Sequence, residues 1–258
     1  MTKLMKGCSL ALVLLLPGAV GATLIDRGNG LIYDSVLDIT WLQDANLAAS
    51  ETFGVSDINA SGTMNWSTAN LWIDAMNAAN YKGFNDWRLP TLSPIDGSNF
   101  NTAFSTNATT DRGYAKTTTD GGWRDGDGNP VSEMGHMFYV NLGNLGFCTP
   151  NDSRPGSCAT QTGWGLTNTG TSDVQFDNLQ SSNYWSGLEF AANPASAWRF
   201  NFRNGAQSAS DKSSAFFAWA VRPGDVAAVP EPGTLALLGA GLALLGWGRR
   251  GRRRSALR

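Results

Sequence analysis

Histidine is almost missing from this 258-residue chain, and cysteine nearly so: there are one His and three Cys. The shortage excludes most His/Cys metal centres and leaves His136 as the sole imidazole for any acid–base or nucleophilic site. Charge is scarce as well, at 16%, beside 30 Gly and 10 Trp. That balance excludes coiled coils and long salt-bridged helices and suits short strands joined by many turns. Disorder as the global state is excluded by an apolar fraction of 42%, enough for a sizeable core. Neither HExxH nor GxSxG occurs, and the glycine-rich GAGLALLG near the C-terminus follows no strand.

Long apolar runs are confined to the two ends. Residues 1–22 carry Lys3 and Lys6, an apolar stretch from Leu10 to Leu16, and small residues Val20 and Ala22 at a cleavage position. This is the pattern of a secretory signal peptide. A permanent membrane helix is disfavoured, because the run is short and Pro17 interrupts it. Near the other end, Pro230, Glu231 and Pro232 precede an apolar segment from Thr234 to Trp247 and six arginines between Arg249 and Arg258. Residues 229–254 resemble the PEP-CTERM sorting signal of Gram-negative bacteria. The arginines favour the cytoplasmic side of the inner membrane. A helix from 234 to 247 spans roughly 21 Å, short of a hydrocarbon core of about 30 Å, which suits transient anchoring. The resemblance implies recognition and cleavage near the Pro-Glu-Pro motif by an exosortase. The expected destination is the cell surface or extracellular matrix.

Without the ends, the formal net charge of −2 becomes about −10, with 11 Lys and Arg against 21 Asp and Glu between Thr23 and Gly248. Such acidity works against binding to nucleic acid or anionic lipid. In an oxidising compartment Cys148 and Cys158 are expected to form a local disulfide, worth about 3 kcal/mol in the chain-entropy model.

Residues 23–225 read as one α+β domain with antiparallel strands, one main helix and long central loops. Leu31, Tyr33, Val36, Ile39 and Trp41 suggest two short strands and a turn. Ala69, Trp72, Met76 and Ala79 mark one face of a helix capped by Asn65, with Gly83 beyond its end. FNDWRLPTL reads as a strand stopped by Pro90. A loop-rich region from about Ser93 to Gln180 contains a short helix capped near Ser132, with Met134, Phe138 and Leu142 on one face. Trp198, Phe200 and Phe202 alternate inward before an Asn204-Gly205 hairpin turn. Phe217, Trp219 and Val221 alternate in the last strand.

Three stretches, TMNWSTANLWIDAMNAANYKGFNDWRLPT, YWSG at Tyr184–Gly187 and AWRFNFRNG at Ala197–Gly205, together with FAWAVRPGD at Phe217–Asp225, carry a resemblance. They are similar to the domain family typified by the C-terminal domain of the Legionella collagen-like adhesin (Lcl C-terminal domain), over about Gly30 to Asp225. The resemblance implies a C-type-lectin-like fold in which the first and last strands pair and long central loops bind surface ligands such as polysaccharide. The adhesin's sulphated polyanions do not transfer, because the acidity of this chain repels them. Trp87, Arg88, Leu89 and Pro90 read as core and turn determinants.

Two sets of residues are candidate ligand contacts. Trp123 and Trp164 sit in polar, Gly-rich loops where a sugar ring could stack on an indole face. Asp125, Asp127 and Asn129 alternate as oxygen ligands do in a calcium loop, so calcium is the one cofactor left open. The match to the helix-loop-helix calcium pattern then fails, with Pro130 in place of Gly and His136 in place of the bidentate Glu. The expected function is non-enzymatic binding of polysaccharide or another surface ligand. A passive component of the exopolysaccharide matrix and a carboxylate-dependent glycoside hydrolase are the alternatives.

Overall fold

The computed structural model of the protein describes residues 24–115, 121–150 and 158–226. The export leader and the sorting tail, with the transmembrane segment read in it, lie outside the described residues. No helix among the described residues is long and apolar enough to cross a membrane.

The domain is α+β, built on two sheets. Strands β1 (Leu24–Asp26), β2 (Leu31–Asp34) and β3 (Ile39–Leu42) form an antiparallel meander. The last strand, β9 (Val221–Pro223), pairs antiparallel with β3 rather than with β1, giving the order β1-β2-β3-β9. The second sheet runs β4 (Phe104–Ser105), β5 (Arg112–Gly113), β8 (Ala206–Asp211), β7 (Ser196–Asn201), β6 (Asn183–Glu189). It is antiparallel except for the β4–β5 pair, which is parallel.

Aromatic rings join the sheets. Trp219 lies 4.5 Å from Trp41 of β3 and 5.8 Å from Phe202, just after β7. Several of the buried indoles also find an acceptor for the N–H. Trp219 donates to Leu42 O at 2.7 Å, Trp185 to Met64 O at 2.9 Å and Trp72 to Glu51 O at 2.9 Å, so these rings also fix chain segments far apart in sequence.

Helix α1 (Trp66–Ala78) starts where Asn65 Oδ1 accepts from Thr68 N at 2.9 Å. Ala69, Trp72 and Met76 are buried as expected, but the stripe runs through Ile73 and leaves Ala79 exposed at the C-cap. Asn80, at φ 50°, ends the helix before Gly83 is reached. FNDWRLPTL is not a strand. It makes two isolated antiparallel bridges, Arg88 with Val221 and Leu92 with Ser132, on either side of Pro90, which has no N–H to continue a ladder. In the first hairpin both Leu31 and Ile32 are buried, because both faces of this short sheet are covered there, and Val36 is exposed in the turn. Around Phe217 every residue to Val221 is buried, so the alternation there does not separate core from solvent. The inward set Trp198, Phe200 and Phe202 is buried, and Gly205 at φ 78° closes the turn between β7 and β8.

Candidate functional site

The D-W-R-L-P-T stretch acts as a clamp. Asp86 accepts both Arg222 Nε (2.8 Å) and Nη2 (2.9 Å), tying the stretch to β9. Trp87 and Leu89 are buried. Arg88 forms a bidentate pair with Glu133 (2.8 and 2.6 Å), and Thr91 N donates to the same carboxylate at 2.8 Å. Glu133 opens the short helix α2 (Glu133–His136), capped by Ser132, whose Oγ accepts from Gly135 N. The clamp therefore sets the start of a helical segment that widens into a π-helical turn over Met137–Asn141. Arg88 has a positional role as expected, but its partner lies 45 residues away and no spacing rule announces it.

The π turn ends at a cleft of about 600 Å³. Asn141, Leu142 and Gly143 form one wall, and the loop from Thr167 to Ser172 with Gln175 forms the other. Buried Asn144 holds the walls together. Its Oδ1 accepts from Thr167 N (2.9 Å), Thr167 Oγ1 (3.1 Å) and Asn168 N (2.9 Å), while its Nδ2 donates to Asn168 O at 2.9 Å. Asn141 Nδ2 donates to the buried carboxylate of Asp34 at 2.6 Å, and Asn141 Oδ1 has no partner. No lining side chain of the cleft is titratable. Its amides, hydroxyls and peptide groups can donate and accept hydrogen bonds, but they offer no acid, base or charged electrophile.

Trp123 is not available for stacking. Its ring is 1% exposed, Nε1 donates to Thr110 O at 2.9 Å, and Tyr139 and Phe200 pack edge-on against it at 6.0 and 6.3 Å. The polar loop folds the indole against α2, and Gly135 is required there, since a Cβ would lie 2.8 Å from Trp123 Cε3. Trp164 is half-buried, 4.9 Å from Phe147 with its ring nearly perpendicular, and it does not line the cleft.

Asp125, Asp127 and Asn129 form a closed turn. Asp125 Oδ1 accepts from Asp127 N (3.0 Å) and Asn129 N (2.8 Å), and Oδ2 accepts from Asn129 Nδ2 (3.1 Å). These bonds, that from the Asn129 side chain foremost, hold the Asp125 carboxyl below its ordinary pKa. Among the described residues no group of three His, Cys, Asp or Glu is placed to hold a metal ion. The Cys148–Cys158 disulfide is present, with a Cα–Cα distance of 5.3 Å. It joins the two arms that run from the cleft walls, paired further by the Leu145–Gly165 and Cys148–Thr160 bridges.

His136 is 2% exposed and neither ring nitrogen has a hydrogen-bond partner. Burial lowers its pKa below the ordinary 6.5, against the opposing pull of Asp34. No hydroxyl or carboxylate among the described residues hydrogen-bonds the ring, so the geometry of a nucleophilic triad is not assembled there.

A two-sheet α+β domain with a polar cleft beside a clamped π turn is the class that fold and site define. Residues 30–144 match the family model of the Lcl C-terminal domain, and residues 228–254 match the PEP-CTERM protein-sorting motif. The protein is thus exported across the inner membrane of a Gram-negative bacterium to the surface or extracellular space, with a sorting motif that implies processing by an exosortase, and residues 30–144 are similar to the Lcl C-terminal domain. The match ends at Asn144, so it includes the clamp from Asp86 to Thr91 with Glu133 and one cleft wall, but not Arg222, the loop opposite or β6 to β9. No curated protein and no solved structure gives a match.

Proposed function

We propose that the exported domain is a non-catalytic binding module and that the cleft between Asn141–Gly143 and Thr167–Gln175 takes a neutral, polyhydroxylated segment of polysaccharide. The observation that carries this reading is a cleft of about 600 Å³ lined by amides, hydroxyls and peptide groups without a titratable side chain. Hydroxyl-rich ligands need both donors and acceptors at fixed positions, and Asn144 fixes them. A carboxylate-dependent hydrolase would need an acid and a second carboxylate facing the ligand, and this cleft offers neither. The return of β9 to the first sheet after long central loops supports a C-type-lectin-like reading of the fold.

The test is an array of neutral polysaccharides probed with the wild-type protein and with Asn168→Ala. That substitution removes an exposed amide whose side chain makes no hydrogen bond among the described residues. Saturable binding weakened by the substitution is the expected result. Absence of saturable binding to every neutral polymer would overturn the proposal and leave a passive, hydrated component of the matrix.

A further inference from the structure

A second pocket, of about 190 Å³, lies on the other side of the chain's charge balance. In an acidic domain it gathers two arginines, and the β5–β8–β7 register explains how. Gly113 pairs with Gln207, and Phe200 pairs with the same Gln207, so these three share one face of the sheet. Because side chains alternate along a strand, Arg112, Ser208 and Arg199 occupy the opposite face. Arg112 and Arg199 stand two strand spacings apart, about 10 Å between backbones. Ala206 and Ser208 on the strand between them are small, which leaves the floor open.

Phe104 pairs in register with Arg112 and adds an aromatic wall. It is 54% exposed and packs edge-on against Tyr114 at 6.0 Å. This apposition of β4 and β5 depends on Gly113, at φ 121°, where a Cβ would come within 1.9 Å of Ser105 O.

Neither guanidinium has a counter-ion among the described residues. Arg199 gives Nε to Ser210 Oγ (3.1 Å) and Nη1 to Asn183 Oδ1 (2.8 Å), both neutral acceptors. The ion pairs among the described residues use Arg27, Arg88, Lys212 and Arg222, and neither pocket arginine takes part in them. Burial and the like charge of Arg112 both press against the cationic form of Arg199, but a guanidinium stays protonated. An anion entering the pocket relieves that cost.

We infer that the Phe104–Arg112–Arg199 pocket binds a single carboxylate carried on a sugar ring, as in a uronic acid within or at the end of an otherwise neutral glycan. The carboxylate lies against the Arg112 fork, which matches it in geometry, and against the Arg199 Nη2 that Ser210 and Asn183 leave uncommitted, and an apolar face of the ring lies on Phe104. The acid excess of the domain repels a polyanion along its length, whereas salt confines the attraction of the two arginines to about 8 Å at physiological ionic strength, the reach of one group. The pocket is distinct from the neutral cleft, so it stands or falls independently of the function proposed above.

The test follows the side-chain Nε–H signals of Arg112 and Arg199 by NMR in the mature protein during titration with methyl β-D-glucuronide, methyl β-D-glucoside and heparin. The expected result is a saturable shift of both signals with the glucuronide, with a dissociation constant near 1 mM, as befits one ion-paired sugar of about 4 kcal/mol. The glucoside is expected to produce no shift and heparin no tighter binding than the monosaccharide. Arg112→Gln, at an exposed position, is expected to weaken the glucuronide about tenfold. Arg199→Lys keeps the charge without the fork and is expected to weaken it as well, with the melting temperature recorded for both variants. Absence of a shift with the glucuronide, equal shifts with the glucoside, preference for heparin, or wild-type affinity in a folded Arg112→Gln protein would each overturn the inference. A negative result on the neutral polysaccharide array would leave it intact.

Discussion

Replacing Asn144, which directly follows the Asn141–Gly143 wall, with Ala removes the side chain that ties this wall to the opposite wall at Thr167 and Asn168. Four hydrogen bonds disappear: three to its Oδ1, from Thr167 N, Thr167 Oγ1 and Asn168 N, and one from its Nδ2 to Asn168 O. A net contribution of about 0.5–1.5 kcal/mol per bond would give up to about 6 kcal/mol. Thr167 and Asn168 are exposed, however, and their freed groups turn to water, so the low end of the range applies. With a small contribution from the vacated volume, the expected loss is about 2–3 kcal/mol, or roughly 5–10 °C in Tm for a domain of this size. The sharper readout is local. Amide hydrogen exchange at Thr167 and Asn168 should accelerate far more than at Trp185 or Phe217, whose amides donate within the second sheet's connections at 2.9 and 3.0 Å. Unchanged protection at Thr167 and Asn168, with the core unchanged too, would refute the idea that Asn144 builds the cleft.

Glu133→Gln weakens the fork on Arg88, whose two bonds measure 2.6 and 2.8 Å. Because Arg88 is 34% and Glu133 13% exposed, solvent screening limits the expected cost to about 1–2 kcal/mol; urea unfolding with no change in midpoint would contradict the clamp. His136 is buried with its pKa lowered from the ordinary 6.5. As pH falls through 6.5 the unfolded chain binds a proton before the folded domain does, so stability declines with falling pH until the folded pKa is passed. His136→Asn should flatten this part of the profile, and an unchanged slope in urea midpoints between pH 7 and pH 5 would refute the assignment. Calcium should leave the melting curve of the wild type unchanged, since Asp125 already accepts three hydrogen bonds within its own loop; a calcium-dependent rise lost in the Asp125→Ala, Asp127→Ala double variant would overturn this.

The parts of the fold legible in the sequence were those decided by local periodicity and local chemistry. Asn65 and Ser132 cap the helices that follow them, and Trp198, Phe200 and Phe202 turn inward, because a cap or an alternating face depends on residues within a few positions. Legibility ended where partners are remote. FNDWRLPTL has the composition of a strand, yet its hydrogen bonds go to Asn77, Val221 and Glu133, in three separate elements. Trp123 lies between glycines and aspartates, which suggested an open ring. Its burial depends on Phe200 and Tyr139, more than a dozen residues away in sequence, and on Gly135 leaving room. The neutral cleft was missed because it has no charged or aromatic signature, and the Arg112–Arg199 pair because the two arginines are neighbours only across the β8 strand.

The register of the first sheet bears on how such a domain is handled during export. Leu24 pairs with Asp34, Asp34 with Ile39 and Ile39 with Pro223, so the first and last strands begin and end in a single row across the sheet. Three strand spacings, about 14 Å, separate the chain's entry from its exit. Arg27, just past the far end of β1, reaches Asp225 in a bidentate pair, and Gly224 N donates to Asp38 O at 2.7 Å. The leader and the sorting tail therefore join the domain at one end of one sheet. Val226 is the last buried side chain among the described residues and the Pro-Glu-Pro motif starts at Pro230, so a cut at or beyond the motif removes no part of the core described here. Loss of the tail is then compatible with an intact Arg27–Asp225 pair, and both pockets, built from residues between Phe104 and Ser208, keep every supporting contact.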